Sequence, residues 1–199
     1  DDFEISCLGY LFKYCNEYEK IKIIIPTTWK PKVDIWKENL EKIKKNINKK
    51  ISYENFNFNQ RELNKYFDDV KDEFYKTVNF SENFDIVCHD KNDCHTDHIV
   101  CHNIAMGLFK YSTKFTTIYS PSSIRFEPNC WLSLSPDQFK VKKECIDKYN
   151  IGNEQSYTKL GYYMENESFY NIGKSYHMEN FARANYDYYE TYKILKMEV

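Results

Sequence analysis

Apolar side chains at Ile5, Leu8, Leu11, Phe12 and Cys15 recur every three or four positions, so residues 4 to 18 predict an amphipathic helix with Lys13 and Glu17 on its polar side. The β-branched run Ile21-Lys22-Ile23-Ile24-Ile25 follows at once and predicts a buried strand ended by Pro26. The same alternation continues. Val33 to Ile47 predicts a helix, Ile51 to Phe58 a strand, Glu62 to Val78 a helix, and Phe84 to Cys88 a short buried strand. The turn-rich stretch Asp90 to Asp93 leads into a helix from about His95 to Phe109, with Asp93 placed to accept amide hydrogen bonds at its N-terminus. Phe115 to Tyr119 predicts another strand and Pro136 to Tyr149 another helix. A Tyr- and Asn-rich tail follows, whose aromatics either shape a pocket over the sheet or fill the core.

Strands separated by helices of this length imply parallel βαβ units, and hence a three-layer α/β/α sandwich with a Rossmann-like, mostly parallel sheet. Ligands of such sheets bind at the carboxyl ends of strands. Two loops qualify: the one holding Asp1-Asp2 and the one holding Asp90 to His98. A length of 199 residues fits one domain spanning 1–199.

Composition narrows the partner. With 28 Lys+Arg against 30 Asp+Glu, the net charge of -2 offers no general attraction to nucleic acid or to an anionic membrane. No apolar run approaches the ~20 residues of a membrane-spanning helix, so no integral membrane segment is expected and the cytoplasm is the expected location. Seven cysteines cannot all pair within one chain, and Cys88, Cys94 and Cys101 lack a CxxC spacing; reduced thiols are expected rather than a cysteine zinc site.

Metal-capable residues are densest in Asp93-Cys94-His95-Thr96-Asp97-His98. Three residues apart in the first turn of a helix, His95 and His98 place both rings on one face. A solvated helix start can carry the same pair, but its place after a buried strand points to a site. His102 continues the stripe as a third ligand, a hydrogen-bond donor behind the ligands or a plain helix-face histidine. His89 sits just past the strand, where capping suffices, and His177 has no clear partner. The second cluster is Asp1-Asp2 with Glu4. Adjacent acids at a helix start can serve only the helix dipole; together with the imidazoles they are the ligand types a catalytic zinc takes.

The segments DDFEISCLGYLFKY and DCHTDHIVCH resemble the two signature motifs of the zinc-dependent N-acetylglucosaminyl deacetylase family, which includes the phosphatidylinositol glycan deacetylase and its LmbE-like bacterial relatives. Those motifs are an (A/S)HPDDE-type segment after the first strand and a (D)xHPDH segment after a later one. Tyr188-Tyr189-Glu190-Thr191-Tyr192 is similar to the YAExF-like end of many members.

The resemblance implies a hydrolase that removes the acetyl group from an N-acetyl amino sugar or its conjugate, as in bacterial glycan, glycolipid or thiol biosynthesis, with one Zn2+ per chain. It implies Asp1 as general base, Asp2 and His98 as zinc ligands, His95 as acid or oxyanion stabiliser, and Asp97 as the carboxylate orienting an imidazole. Arg125 resembles a second family arginine near the pocket, which implies substrate binding; a surface ion pair with Glu127 or another acid is the alternative. The family's first zinc-ligand histidine would lie two positions before Asp1, after a first strand that would also lie upstream. Phe3 and Thr96 depart from the motifs at positions that carry no chemistry. The expected partner is a small amino-sugar substrate, with a homo-oligomer allowed. The rival reading is a metal-free, non-catalytic sugar-binding or scaffold protein of the same fold.

Overall fold

The computed structural model describes residues 2–28, 30–47, 51–120, 122–149 and 188–197. Helices and strands alternate along the chain as α1 (Asp2–Ser6), α2 (Leu8–Tyr14), β1 (Ile21–Thr28), α3 (Lys30–Ile47), β2 (Ile51–Asn59), α4 (Phe67–Thr77), β3 (Asp85–His89), α5 (Thr96–Gly107), β4 (Lys114–Ile118), β5 (Cys130–Leu134), α6 (Pro136–Asp147) and β6 (Tyr188–Met197). The protein is mixed α/β. β1 pairs with β2 in parallel, and β3 with β4 in parallel, each pair linked by an intervening helix. β4 pairs with β6 in the antiparallel sense, giving a four-stranded sheet of order β3-β4-β6-β5 in addition to the two-stranded β1-β2 sheet.

Several predicted boundaries move, three of them for clear local reasons. The first helix breaks at Cys7, whose backbone (φ -131°, ψ -5°) leaves the helical region. Pro26 does not end β1: the strand runs on to Thr28, and the ladder slips between Ile25 and Thr27, which accommodates a residue that has no amide hydrogen to donate. The helix predicted from Glu62 opens with a 3-10 turn, Leu63–Tyr66, before α4. The tail's end is a strand, β6, where the pattern had suggested only covering aromatics; Tyr157, Tyr162 and Phe169 of that tail, like His177, lie outside the described residues.

Packing divides the chain into two compact units. One is built from Asp1–Glu19, Asp34–Lys50 and Cys130–Thr191, the other from Lys20–Val33, Ile51–Asn129 and Tyr192–Val199. In the first unit α3 presents Trp36, Leu40 and Ile43 at helical spacing, and all three are buried with Ile5, Leu8, Leu11, Leu134 and Ile146. α6 starts with a complete capping box: Ser135 accepts from the Gln138 amide while the Gln138 side chain accepts from the Ser135 amide, and Pro136 fills the first turn. Lys142 and Glu190 form a fully buried ion pair at 2.6 Å, and the Gly9 amide donates to the other Glu190 oxygen at 2.7 Å. Gly9 is glycine because of that approach: a Cβ there would lie 2.6 Å from Glu190 Oε2.

In the second unit Leu63, Val70, Val100 and Ile104 form a core against which Phe58, Phe74, Tyr75 and Cys101 pack. That core joins the loop after β2, helix α4 and helix α5. It thereby fixes the N-terminus of α5 beside the ends of β3 and β4. Among the described residues no helix is long and apolar enough to cross a membrane.

Candidate metal centre

The second unit places three metal-capable side chains together at the carboxyl end of β3. His89, Asp93 and His98 each offer one ligand atom, and these atoms lie within 4.8 Å of one another. Two ligands on opposite sides of an ion with bonds of about 2.0 to 2.2 Å are separated by at most about 4.4 Å, so closing the group around a divalent ion requires the side chains to draw together and the stacked His89 and His98 rings to tilt apart until both lone pairs meet at it. Two imidazoles and a carboxylate suit zinc among other first-row divalent ions.

Each member is held for an identifiable reason. His89 is the last residue of β3. Its carbonyl accepts a hydrogen bond from His102 Nδ1 at 2.8 Å, and because a carbonyl can only accept, His102 carries its proton on Nδ1. His102 is therefore a buried donor behind the group, one of the roles its spacing allowed. The His89 ring stacks on His98, with centroids 3.7 Å apart and planes 5° from parallel. His95 also stacks on His98, with centroids 4.5 Å apart and planes 30° from parallel.

Asp93 anchors the arrangement. Its Oδ2 lies 3.0 Å from His98 Nδ1 and also accepts from the Ser120 hydroxyl, while Oδ1 accepts from Ser122 Oγ at 2.6 Å and from the His95 amide at 2.8 Å. Burial by itself would raise the carboxyl pKa, but the donors from His98, Ser120, Ser122 and the His95 amide outweigh it and hold Asp93 well below the usual carboxylate range. Asp93 is thus an anion with no solvent exposure of its side chain, beside a His98 side chain that is 12% exposed.

His95 occupies the N-cap of α5, where its Nδ1 accepts from the Asp97 amide at 3.3 Å. A neutral His95 bonded in this way carries its proton on Nε2. The Asp97 carboxylate, expected to orient an imidazole, instead accepts the amides of Arg61 at 2.6 Å and Leu63 at 3.3 Å, clasping the loop after β2 to α5. The imidazole is oriented by Asp93. Ser122 and Asp93 meet His98 at the same nitrogen, with Ser122 Oγ 3.3 Å from Nδ1. A serine–histidine–aspartate relay needs the serine and the acid on opposite nitrogens, so this is not one.

Asp1 lies outside the described residues. Asp2 opens α1 in the first unit, and the metal-capable group of the second unit is assembled without it. Arg125 is exposed, with its backbone in the left-handed region at φ 57° and its carbonyl 3.5 Å from Asn92 Nδ2. All seven cysteines are free, and none belongs to the metal-capable group. Burial, together with the neighbouring Cys101 and Asp90, pushes the Cys88 thiol well up. His89, Ser120 and Ser122 are contributors to which the motifs give no role, while Asp93, expected to accept amides at the α5 N-terminus, does accept the His95 amide and also meets His98. The signal for His89 was its place as the strand's final residue; the serines, in Ser120-Pro121-Ser122-Ser123, follow the neighbouring parallel strand at the same end.

No protein-family model matches the chain, and no curated protein sequence matches it.

Proposed function

We propose that the protein is a metal-dependent hydrolase of an amide bond, acting as an N-deacetylase on an N-acetyl amino sugar or its conjugate. One observation carries this reading: His89, Asp93 and His98 converge at the carboxyl end of a parallel strand, with ligand atoms within 4.8 Å. The order of DDFEISCLGYLFKY and DCHTDHIVCH supports the choice of an N-acetyl sugar and of a Rossmann-like sandwich, by resemblance.

The imidazoles of His89 and His98 would hold the ion, and Asp93 would keep the His98 ring in place. Zinc, when bound, lowers the pKa of a water toward ~7 and polarises a carbonyl. His95 stacks against His98, and Nε2–H, on the nitrogen that does not accept from the Asp97 amide, is a donor suited to the oxygen of a reacting carbonyl.

The test is acetate release by the zinc-loaded full chain from free, nucleotide-linked and lipid-linked N-acetylglucosamine. We expect release from at least one of them, abolished by chelator and by His98→Ala, and reduced on the order of 10²-fold by His95→Ala with zinc content unchanged. A chain that holds zinc at His89 and His98 and releases acetate from none of these substrates would contradict the deacetylase assignment.

A further inference from the structure

The loops after β3 and β4 are joined by the Cys94 amide donating to Ser122 O at 2.8 Å, the Ile124 amide donating to Asn92 O at 2.6 Å, and a bridge between Asp93 and Ser123. Two serine hydroxyls of the second loop then converge on one carboxylate of the first. A carboxylate has about four lone-pair sites. Those of Asp93 are taken by Ser122 Oγ and the His95 amide on Oδ1, and by Ser120 Oγ and His98 Nδ1 on Oδ2.

The hydroxyl protons can be placed. Ser120 and Ser122 each have one; the two hydroxyls lie 3.0 Å apart and Ser122 Oγ lies 3.3 Å from His98 Nδ1, but the shorter contact of each is to Asp93, an acceptor only, and takes its proton. His98 Nδ1 faces the same anion at 3.0 Å, so it too must be a donor. Its proton sits on Nδ1, and Nε2 is the nitrogen left with a lone pair.

We propose that Ser120 and Ser122 are positioning residues that reserve Asp93 as the outer partner of His98, fix the His98 proton on Nδ1 and so present Nε2 to the metal. This rests on the metal-centre reading above. Of the three residues able to hold an ion, His89 and His98 bind it, and Asp93 acts through His98. Direct ligation by Asp93 would require one of its four donors to leave. The serines oppose that because both hydroxyls are already committed to the carboxylate, and Ser120 is itself fully buried. Carboxylates that orient a ligating histidine in this way fix its tautomer and raise its basicity.

The experiment has two readouts on the full chain. The first is the ring tautomer of His98 in metal-free protein, from long-range 1H–15N histidine spectra at a pH where the ring is neutral, with His98→Ala supplying the assignment. We expect Nδ1–H in the wild type and in Ser122→Thr, and a mixture of tautomers in Ser122→Ala and in the Ser120→Ala/Ser122→Ala double variant. The second is zinc affinity by chelator competition, expected to fall roughly 10- to 100-fold in Ser122→Ala and to recover in Ser122→Thr. Ser122 is only half-buried, so the single variant carries the test if the double one does not fold. Wild-type His98 protonated on Nε2, or unchanged tautomer and zinc affinity in both alanine variants, overturns the proposal. Because the tautomer is read without metal, a serine-dependent Nδ1–H in a chain that binds no zinc supports the positioning role and sinks the metal reading alone.

Discussion

Each unit buries a carboxylate against a cation or an imidazole, and the two differ in what the partner can do next. Glu190 in the first unit is matched by Lys142 and by the Gly9 amide, with both charged side chains 1% exposed. The lysine ammonium carries donors only and offers nothing to a metal. Asp93 in the second unit is equally enclosed, but its partner His98 has a second ring nitrogen and retains some exposure. A buried pair that closes on itself holds architecture together. One that ends in an imidazole, here in the first turn of α5, has as its partner a ring that carries a second nitrogen.

The largest effect we predict breaks the closed pair. Glu190→Ala leaves the Lys142 charge buried without its partner and should cost about 3 to 5 kcal/mol, read from denaturant unfolding. Combining Lys142→Met with Glu190→Leu should recover most of that loss. A Glu190→Ala loss below about 1 kcal/mol would show that the pair is hydrated and not closed.

Gly9→Ala comes next. Its Cβ would meet Glu190 Oε2 at 2.6 Å and Leu134 Cδ2 at 3.0 Å, and Glu190 is too well held to move aside freely, so about 1 to 3 kcal/mol should be lost. Equal stability in thermal unfolding would mean the Glu190 side chain yields. Ser135→Ala removes half of the α6 capping box and should cost about 1 kcal/mol. An unchanged midpoint would mean that α6 is held by packing alone.

The smallest effect sharpens the contrast without perturbing either unit. Cys145, buried in the first unit, has its thiol pushed up to about 12 by burial, with Glu4's charge adding to it, whereas Cys94 is exposed in the loop beside the candidate centre. Iodoacetamide at pH 8 should label Cys94 in the native protein and reach Cys145 only after unfolding, since the thiolate is the reactive form. Mass mapping of the labelled peptides decides it; native labelling of Cys145 at the rate of Cys94 would show that the first unit is open.

How much of this was legible follows from the range of each interaction. The alternation of helices and strands up to β4 is local: period and turn residues express it, with edges shifted at Cys7, Pro26, the start of α3 and the 3-10 entry to α4, whereas β5 (Cys130–Leu134) was not expected. β6 is legible only through its partners, because its ladder with β4 joins residues about eighty positions apart, such as Thr116 and Ile194. The same limit applies to the candidate centre. His95 and His98 announce themselves by spacing and location. Ser120 and Ser122 do not, because serines in a Ser-Pro-Ser-Ser turn look like turn residues until the parallel pairing of β3 and β4 sets that turn against Asp93. The bonds of Asp97 are as long in range: its carboxylate accepts from the amides of Arg61 and Leu63, over thirty positions away in sequence.

Zinc stoichiometry and affinity in four chains test the central claim most directly: wild type, His89→Ala, His98→Ala and Asp2→Ala, by elemental analysis and competitive titration. The account predicts one tightly held ion in the wild type, loss on the order of 100-fold or more in affinity with either histidine variant, and retention in Asp2→Ala of the binding that His89 and His98 provide. Wild-type affinity in both histidine variants would contradict it.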